Sequence, residues 1–131
     1  MNAADKPLRS ELARARGLGS AKEGVQHWWA QRLTALALVP LGLWFVAGLI
    51  AHLGLDRAAA AAWLRQPVVL GLTALLIVAL FHHAQLGLQV VIEDYVGHGA
   101  AKIVALVLVK AAAIALATAA LVALLTIAFG G

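Results

Sequence analysis

The chain has 131 residues, room for one domain, and 63% of them are hydrophobic while 12% are charged, about half the share of an ordinary soluble protein. A soluble core cannot absorb that imbalance, so the composition excludes a soluble globular protein and points to an integral membrane protein. The net charge of +4 does not imply nucleic acid, because the basic residues gather at one end, and the absence of cysteine excludes disulfides, thiolate metal sites and iron–sulfur ligation.

Residues 1–23 are expected to form a basic cytoplasmic N-terminal tail, in which Lys6, Arg9, Arg14, Arg16 and Lys22 outnumber the acids. Gly17 and Gly19 interrupt it, and only Ser10-Glu11-Leu12-Ala13-Arg14-Ala15-Arg16 suggests a short helix. The tail is too long, and the apolar run behind it too extended, for a cleaved signal peptide. Residues 24–131 are expected to form an all-α membrane anchor with three transmembrane helices, at about 31–55, 67–93 and 103–129.

Gly24–Arg32 brings the chain to the membrane surface: Trp28 and Trp29 suit the headgroup level and Arg32 closes the segment on the same side. Leu33–Leu55 then carries no charged residue and, at 1.5 Å per residue, reaches about 34 Å, enough for a hydrocarbon core of about 30 Å. Pro40 is a candidate kink, and Gly42 and Gly48 allow close helix contact. Asp56–Arg65 reads as a short loop on the far side, with Trp63 near the interface, and Pro67 fits the first turn of the next helix. Gln66–Ile92 is the second span. Glu93–Lys102 reads as the connection back, turning at Gly97 and Gly99. Ile103–Phe129 is the third span, with one lysine, Lys110, and a stripe of Ala111, Ala115, Ala119 and Ala123 suited to tight packing.

Three spans place the tail and the Glu93–Lys102 connection on one side of the membrane. That side collects Lys6, Arg9, Arg14, Arg16, Lys22, Arg32 and Lys102, against Arg57 and Arg65 on the other. By the positive-inside rule the N-terminus and the Asp94-Tyr95 end are cytoplasmic, in a multi-pass protein of the inner (cytoplasmic) membrane.

The end of the second span concentrates polar groups that are costly in a membrane without partners, which makes them functional candidates. At about 100° per residue, His83, Gly87 and Asp94 share one face, while His82, Gln89 and Glu93 share another about 100° away. An imidazole followed one turn later by a residue without a side chain suits a flat macrocycle: an axial nitrogen for iron and a gap for the ring edge. Asp94 stands about 16 Å along the helix from His83, so His83 lies near mid-membrane while Asp94 and Tyr95 lie near the surface. There a phenol can donate to a quinone carbonyl and an acid can orient it or relay protons.

Each of these residues has a plainer reading. A membrane histidine serves equally as an interhelical hydrogen-bonding group, and a tyrosine at a helix end as an aromatic anchor. Arg32 either anchors the helix or pairs with a haem propionate or quinone oxygen, and the residues alone favour the anchor. His82 reads as a packing or hydrogen-bonding group, and His27 and His98 as interfacial. Lys110 either snorkels or meets a carboxylate of a neighbouring helix. His52 lies at a different depth from His83, so a pair of axial ligands within this chain is not expected and a second histidine would come from another subunit. A small transporter or channel, with Lys110, His82 and Glu93 as a polar path, is the remaining alternative, although the chain has no internal repeat of the transporter kind.

The register His83-x3-Gly87-x-Gln89-x4-Asp94-Tyr95, preceded by Gly24-Val25-Gln26-His27-Trp28-Trp29-Ala30-Gln31-Arg32-Leu33-Thr34-Ala35, resembles the small hydrophobic membrane anchors of succinate dehydrogenase, respiratory complex II, of the D type. The resemblance runs from about Gly24 to the C-terminus. The C-type anchor has a Ser-Pro-His stretch and a Ser-x2-His-Arg segment that are lacking here. The resemblance implies that His83 is one axial ligand of haem b, with the second from a C-type cytochrome b anchor subunit, and that Gly87 packs against the haem. It implies that Tyr95 and Asp94 line the ubiquinone site beside the iron–sulfur subunit, and that Arg32 lies near the haem propionates and the quinone pocket. It further implies that a flavoprotein subunit oxidises succinate, so that this chain holds no catalytic residue of that reaction. The partners implied are those three subunits and membrane lipid. Gln26-His27 stands where some members have a His-Asp pair, and the tail is longer than in some members. A haem-free structural anchor and an anchor of a quinol:fumarate reductase share the same layout.

Overall fold

The computed structural model describes residues 21–130 and is helical throughout, with no strand among the described residues. The basic tail expected over 1–23, with its short helix from Ser10, falls almost wholly outside them. Four helices follow in order: α1 (Ala21–Ala51), α2 (Arg57–Arg65), α3 (Pro67–Tyr95) and α4 (Gly99–Phe129). Three are long and apolar enough to cross a membrane, at Gly24–Ala51, Pro67–Tyr95 and Gly99–Phe129, so the chain is a multi-pass membrane protein. Each contains 28 to 31 residues, or about 42–46 Å of helix. That exceeds a hydrocarbon core of about 30 Å, so each helix either tilts or carries a turn or more into the headgroup region.

The helices lie side by side with α3 in the middle. It packs on α1 along one flank and on α4 along the other, while the backbones of α1 and α4 stay apart. The buried positions follow from that placement: Val69, Thr73, Ala79 and Leu86 belong to α3, with Leu41 from α1 and Leu124 from α4. Most of the other large apolar side chains are exposed, including Leu36, Leu43, Val107 and Leu108, and the rest are half-buried. In water such a surface would aggregate, but lipid tails or apolar partner helices cover it at no desolvation cost. Pro40 lies inside α1 without ending it.

Three expected boundaries shift. The first helix stops at Ala51 rather than near Leu55, because the chain tightens through His52–Leu55 and turns at Gly54, whose φ of 85° favours glycine. Asp56–Arg65, expected as a loop, is the short helix α2. Asp56 caps it, its side chain accepting from the Ala59 N–H at 2.8 Å, and the alanine run behind the cap has the highest helix propensity available. Gln66, with ψ of 130°, separates α2 from α3 because Pro67 pushes its predecessor out of the helical region. The connection between the second and third spans narrows from Glu93–Lys102 to residues 96–98, since α3 continues through Tyr95 and α4 starts at Gly99. Lys102 Nζ donates to the Glu93 carbonyl at 3.0 Å and ties the two helix ends together.

The small residues also sort differently from expectation. Ala111, Ala115, Ala119 and Ala123 all face outward, while Ala113, Ala117, Ala120 and Leu124 are turned towards α3. Gly48, in contrast, does what a small residue at a helix contact is expected to do. The Trp63 indole covers it so closely that an added Cβ would lie 2.5 Å from the ring. The ring is held from both sides: His52 stacks on it at 4.6 Å and Phe45 at 6.0 Å. A Gly48→Val change forces α2 away and is expected to cost about 1–3 kcal/mol. The check is thermal melting of the detergent-solubilised protein, where Trp63→Ala in the same chain should relieve most of the loss.

Candidate functional site

His83 and His82 are neighbours in sequence, but their positions on α3 separate them onto the two flanks of that helix. His83 faces α1, where its Nδ1 lies 3.0 Å from Thr34 Oγ1. The same hydroxyl lies 2.7 Å from the Ala30 carbonyl and 3.0 Å from the Gln31 carbonyl of its own helix. With Nδ1 engaged, Nε2 is the ring nitrogen left for an external partner. His83 lines an open cleft of about 310 Å³ together with Trp28, Gln31, Arg32 and Ala35 of α1. Two residues expected to serve one site, His83 from α3 and Arg32 from α1, therefore meet at a common cleft.

The cleft continues along α1. Trp28, Arg32 and Ala35 also border a mainly apolar groove of about 430 Å³ with Trp29, Leu36 and Val39. The Arg32 guanidinium lies 5.4 Å from the centre of the Trp28 ring, within range of a cation–π attraction. Trp28 in turn packs edge-on to Trp29 at 5.0 Å. The aromatic pair holds the guanidinium beside the cleft while leaving its N–H fork available to an acceptor. Gly87 follows His83 by one helical turn, and an added Cβ there would meet nothing within 4 Å. No contact in this chain requires the glycine, but the open space beside it is where a flat group could approach the α3 backbone.

Asp94 and Tyr95 close the last turn of α3. Both are exposed, Tyr95 by 84%, and neither reaches the Arg32–His83 cleft. The structure thus brings together His83 and Arg32, keeps Gly87 on the same helix one turn away, and leaves Asp94 and Tyr95 apart at the surface end.

The opposite flank of α3 carries a second set of polar groups. His82 and Gln85 border a groove with Ala113, Ile114 and Ala117 of α4, and Gln85 and Gln89 border another with Lys110. Gln89 Nε2 donates to Glu93 Oε1 at 2.9 Å, so this pair is satisfied within the helix. At the far end of the molecule His52 is occupied by the Gly48 carbonyl, 2.8 Å from Nδ1, and by the Trp63 ring. A larger cleft, about 610 Å³, lies at that end between α2 and the end of α4, where Arg65 Nε donates to the Ile127 carbonyl at 2.9 Å. It contains none of the expected site residues.

Two contributors were not singled out from the sequence. Thr34 was quoted only as part of a motif, and its link to His83 spans 49 residues, a distance no local pattern reveals. Gln31 lies one turn before Ala35 and faces the same cleft, which its spacing on the helix could have suggested.

Comparison with known proteins agrees with this architecture. Residues 6–126 match the family described as succinate dehydrogenase/fumarate reductase transmembrane subunit. The chain is 35% identical over 103 residues to the succinate dehydrogenase hydrophobic membrane anchor subunit of Rickettsia bellii, covering 79% of this chain and 82% of the relative. The anchor subunit of the same name from Paracoccus denitrificans is 35% identical over 88 residues, covering 67% and 68%. The succinate dehydrogenase membrane anchor subunit of Reclinomonas americana is 28% identical over 98 residues, covering 70% and 79%. No solved structure matches the chain. With three membrane-length helices and a family match that runs almost from end to end, this chain belongs to the succinate dehydrogenase/fumarate reductase transmembrane subunits, as a hydrophobic membrane anchor.

Proposed function

We propose that the chain anchors a succinate:ubiquinone oxidoreductase in the inner membrane, contributing one axial ligand of a haem b and part of the ubiquinone-reduction site. The observation that carries this reading is the meeting of His83 and Arg32, from different helices, at one open cleft. An imidazole and a guanidinium together match a metal-bearing ring that also carries carboxylates. The open side of Gly87 fits the same group. When bound, haem supplies a one-electron centre inside the membrane. His83 is the one histidine among the described residues that line this cleft, so a second ligand for iron held there would come from another subunit, a C-type anchor in this reading.

The surface end of α3 serves the substrate. Tyr95 donates its phenolic O–H to a ubiquinone carbonyl, and Asp94 relays protons from the cytoplasmic side as the quinone is reduced. The exposure of both residues supports this reading, because a site shared with a soluble iron–sulfur subunit has to be open in the isolated anchor. The flavoprotein subunit oxidises succinate, and the basic N-terminal tail lies on the side where both soluble subunits dock. Arg57 and Arg65 are the basic residues on the opposite side, which supports a cytoplasmic N-terminus.

Purification of the tagged chain from its native membrane tests the assembly. A flavoprotein, an iron–sulfur protein and a second membrane subunit should accompany it, and their absence under mild detergent would sink the proposal. For the quinone edge, Tyr95→Phe should lower succinate:ubiquinone reductase activity about 5- to 10-fold, the equivalent of one lost hydrogen bond. Succinate oxidation by a water-soluble dye acceptor should stay at the wild-type rate. Equal loss of both activities would remove Tyr95 from the quinone site.

A further inference from the structure

We propose that Thr34 is a positioning residue for His83: its hydroxyl oxygen accepts the Nδ1 proton of the imidazole, fixes the ring's tautomer and rotation, and leaves the Nε2 lone pair free to bind iron. The inference rests on the haem-ligand reading of His83 given above and adds a residue to it.

The argument is one of counting hydrogens. A threonine hydroxyl has one proton and two lone pairs. Around Thr34 Oγ1 lie the Ala30 carbonyl at 2.7 Å, the Gln31 carbonyl at 3.0 Å and His83 Nδ1 at 3.0 Å. Were the hydroxyl to donate to Nδ1, its oxygen would face two carbonyl oxygens at hydrogen-bond distance with no proton between them, which is repulsive. The proton therefore goes to a carbonyl of α1, the Ala30 oxygen at 2.7 Å being at the usual O–H···O length. Nδ1 must then supply the hydrogen of the remaining contact. A neutral imidazole protonated at Nδ1 carries its lone pair on Nε2.

Other threonines in the chain show what is particular here. Thr118 and Thr126 bond back to the carbonyls of Ile114 and Val122, at 2.7 and 2.8 Å, as hydroxyls in apolar helices commonly do. Thr34 makes the same backward bond and adds an interhelical one to a histidine. The contact joins α1 to α3 beside the cleft that Arg32 shares, so the ring is oriented by the helix that forms the rest of the site. A hydrogen bond accepted from the distal nitrogen raises the basicity of the ligating one, and loss of such an outer partner typically costs about 10–100-fold in metal affinity.

The test uses the assembled complex and reads haem rather than turnover. Thr34→Val removes the acceptor while keeping the shape. It should lower haem retained per flavin about tenfold when haem is limiting, and raise the haem midpoint potential, since a less electron-rich imidazole favours the ferrous state. Thr34→Ser keeps the hydroxyl and should behave as wild type. Wild-type haem content and potential in Thr34→Val would overturn the proposal, as would a Thr34→Ser complex that behaves like Thr34→Val. If Thr34→Val fails to assemble, Thr34→Ala carries the same two expectations without placing a methyl against the imidazole. His83→Leu separates the two readings. An unchanged haem spectrum there removes the ligand itself, whereas loss of haem in His83→Leu beside a silent Thr34→Val removes only the role of Thr34.

Discussion

His83→Leu in the co-expressed complex should abolish the low-spin haem spectrum, while His82→Leu should leave it in place. The contrast is the sharpest that the fold offers, because the substitutions are identical in chemistry and adjacent in sequence. They differ in flank: His83 faces the α1 cleft with Arg32, and His82 faces the alanine-lined groove of α4. Removing an axial ligand should cost more than the roughly 10–100-fold in affinity that follows loss of an outer-shell partner, so reduced-minus-oxidised spectra and a pyridine haemochrome assay should find little haem bound. Succinate oxidation by a dye acceptor should persist, since leucine is close to histidine in size and fits among the apolar neighbours of α3. A His82→Leu complex without haem, beside a His83→Leu complex that keeps it, would reverse the assignment of the two flanks.

That contrast also shows how far the sequence could be read. Helical rotation alone separated His83 and Gly87 from His82, Gln89 and Glu93, because an α-helix of known period has to put adjacent residues about 100° apart. The three spans were legible for a similar reason: an uncharged apolar run long enough to cross a bilayer has few other fates. What rotation cannot supply is the neighbour on each flank. Thr34 reaches His83 only once α1 lies against α3, and nothing in the local pattern of either helix selects that pairing. The alanine stripe misled for a related reason. In a helix with small residues on every side, Ala111 and Ala113 are equally plausible contacts, and the packing of α4 on α3 chose the second. In α2 the cap at Asp56 went unread because nine residues are too few to show a period, and Trp63 read as an interfacial ring rather than as the lid over Gly48.

Arg32 is the residue for which the sequence left two roles open, and a pair of substitutions decides between them. The guanidinium is exposed, lies over Trp28, and borders both the His83 cleft and the apolar groove leading from it. A plain membrane anchor needs only a positive charge at this depth, which lysine supplies by snorkelling. A carboxylate-binding group needs the planar fork, which lysine lacks. If Arg32 holds a haem propionate, both Arg32→Lys and Arg32→Leu should weaken haem retention. The leucine variant should lose about 10- to 100-fold, the range expected for one charge-assisted hydrogen bond of about 1.5–3 kcal/mol. If it instead holds a quinone oxygen, haem content should stay at the wild-type level while the KM for ubiquinone rises. An anchor alone predicts that Arg32→Lys changes neither quantity. The Trp28 ring sharpens the choice, because an arginine already paired with an aromatic face has its position fixed before any ligand arrives. Trp28→Leu should therefore reproduce part of the Arg32→Leu loss in whichever of the two measurements responds, and leave the other unchanged.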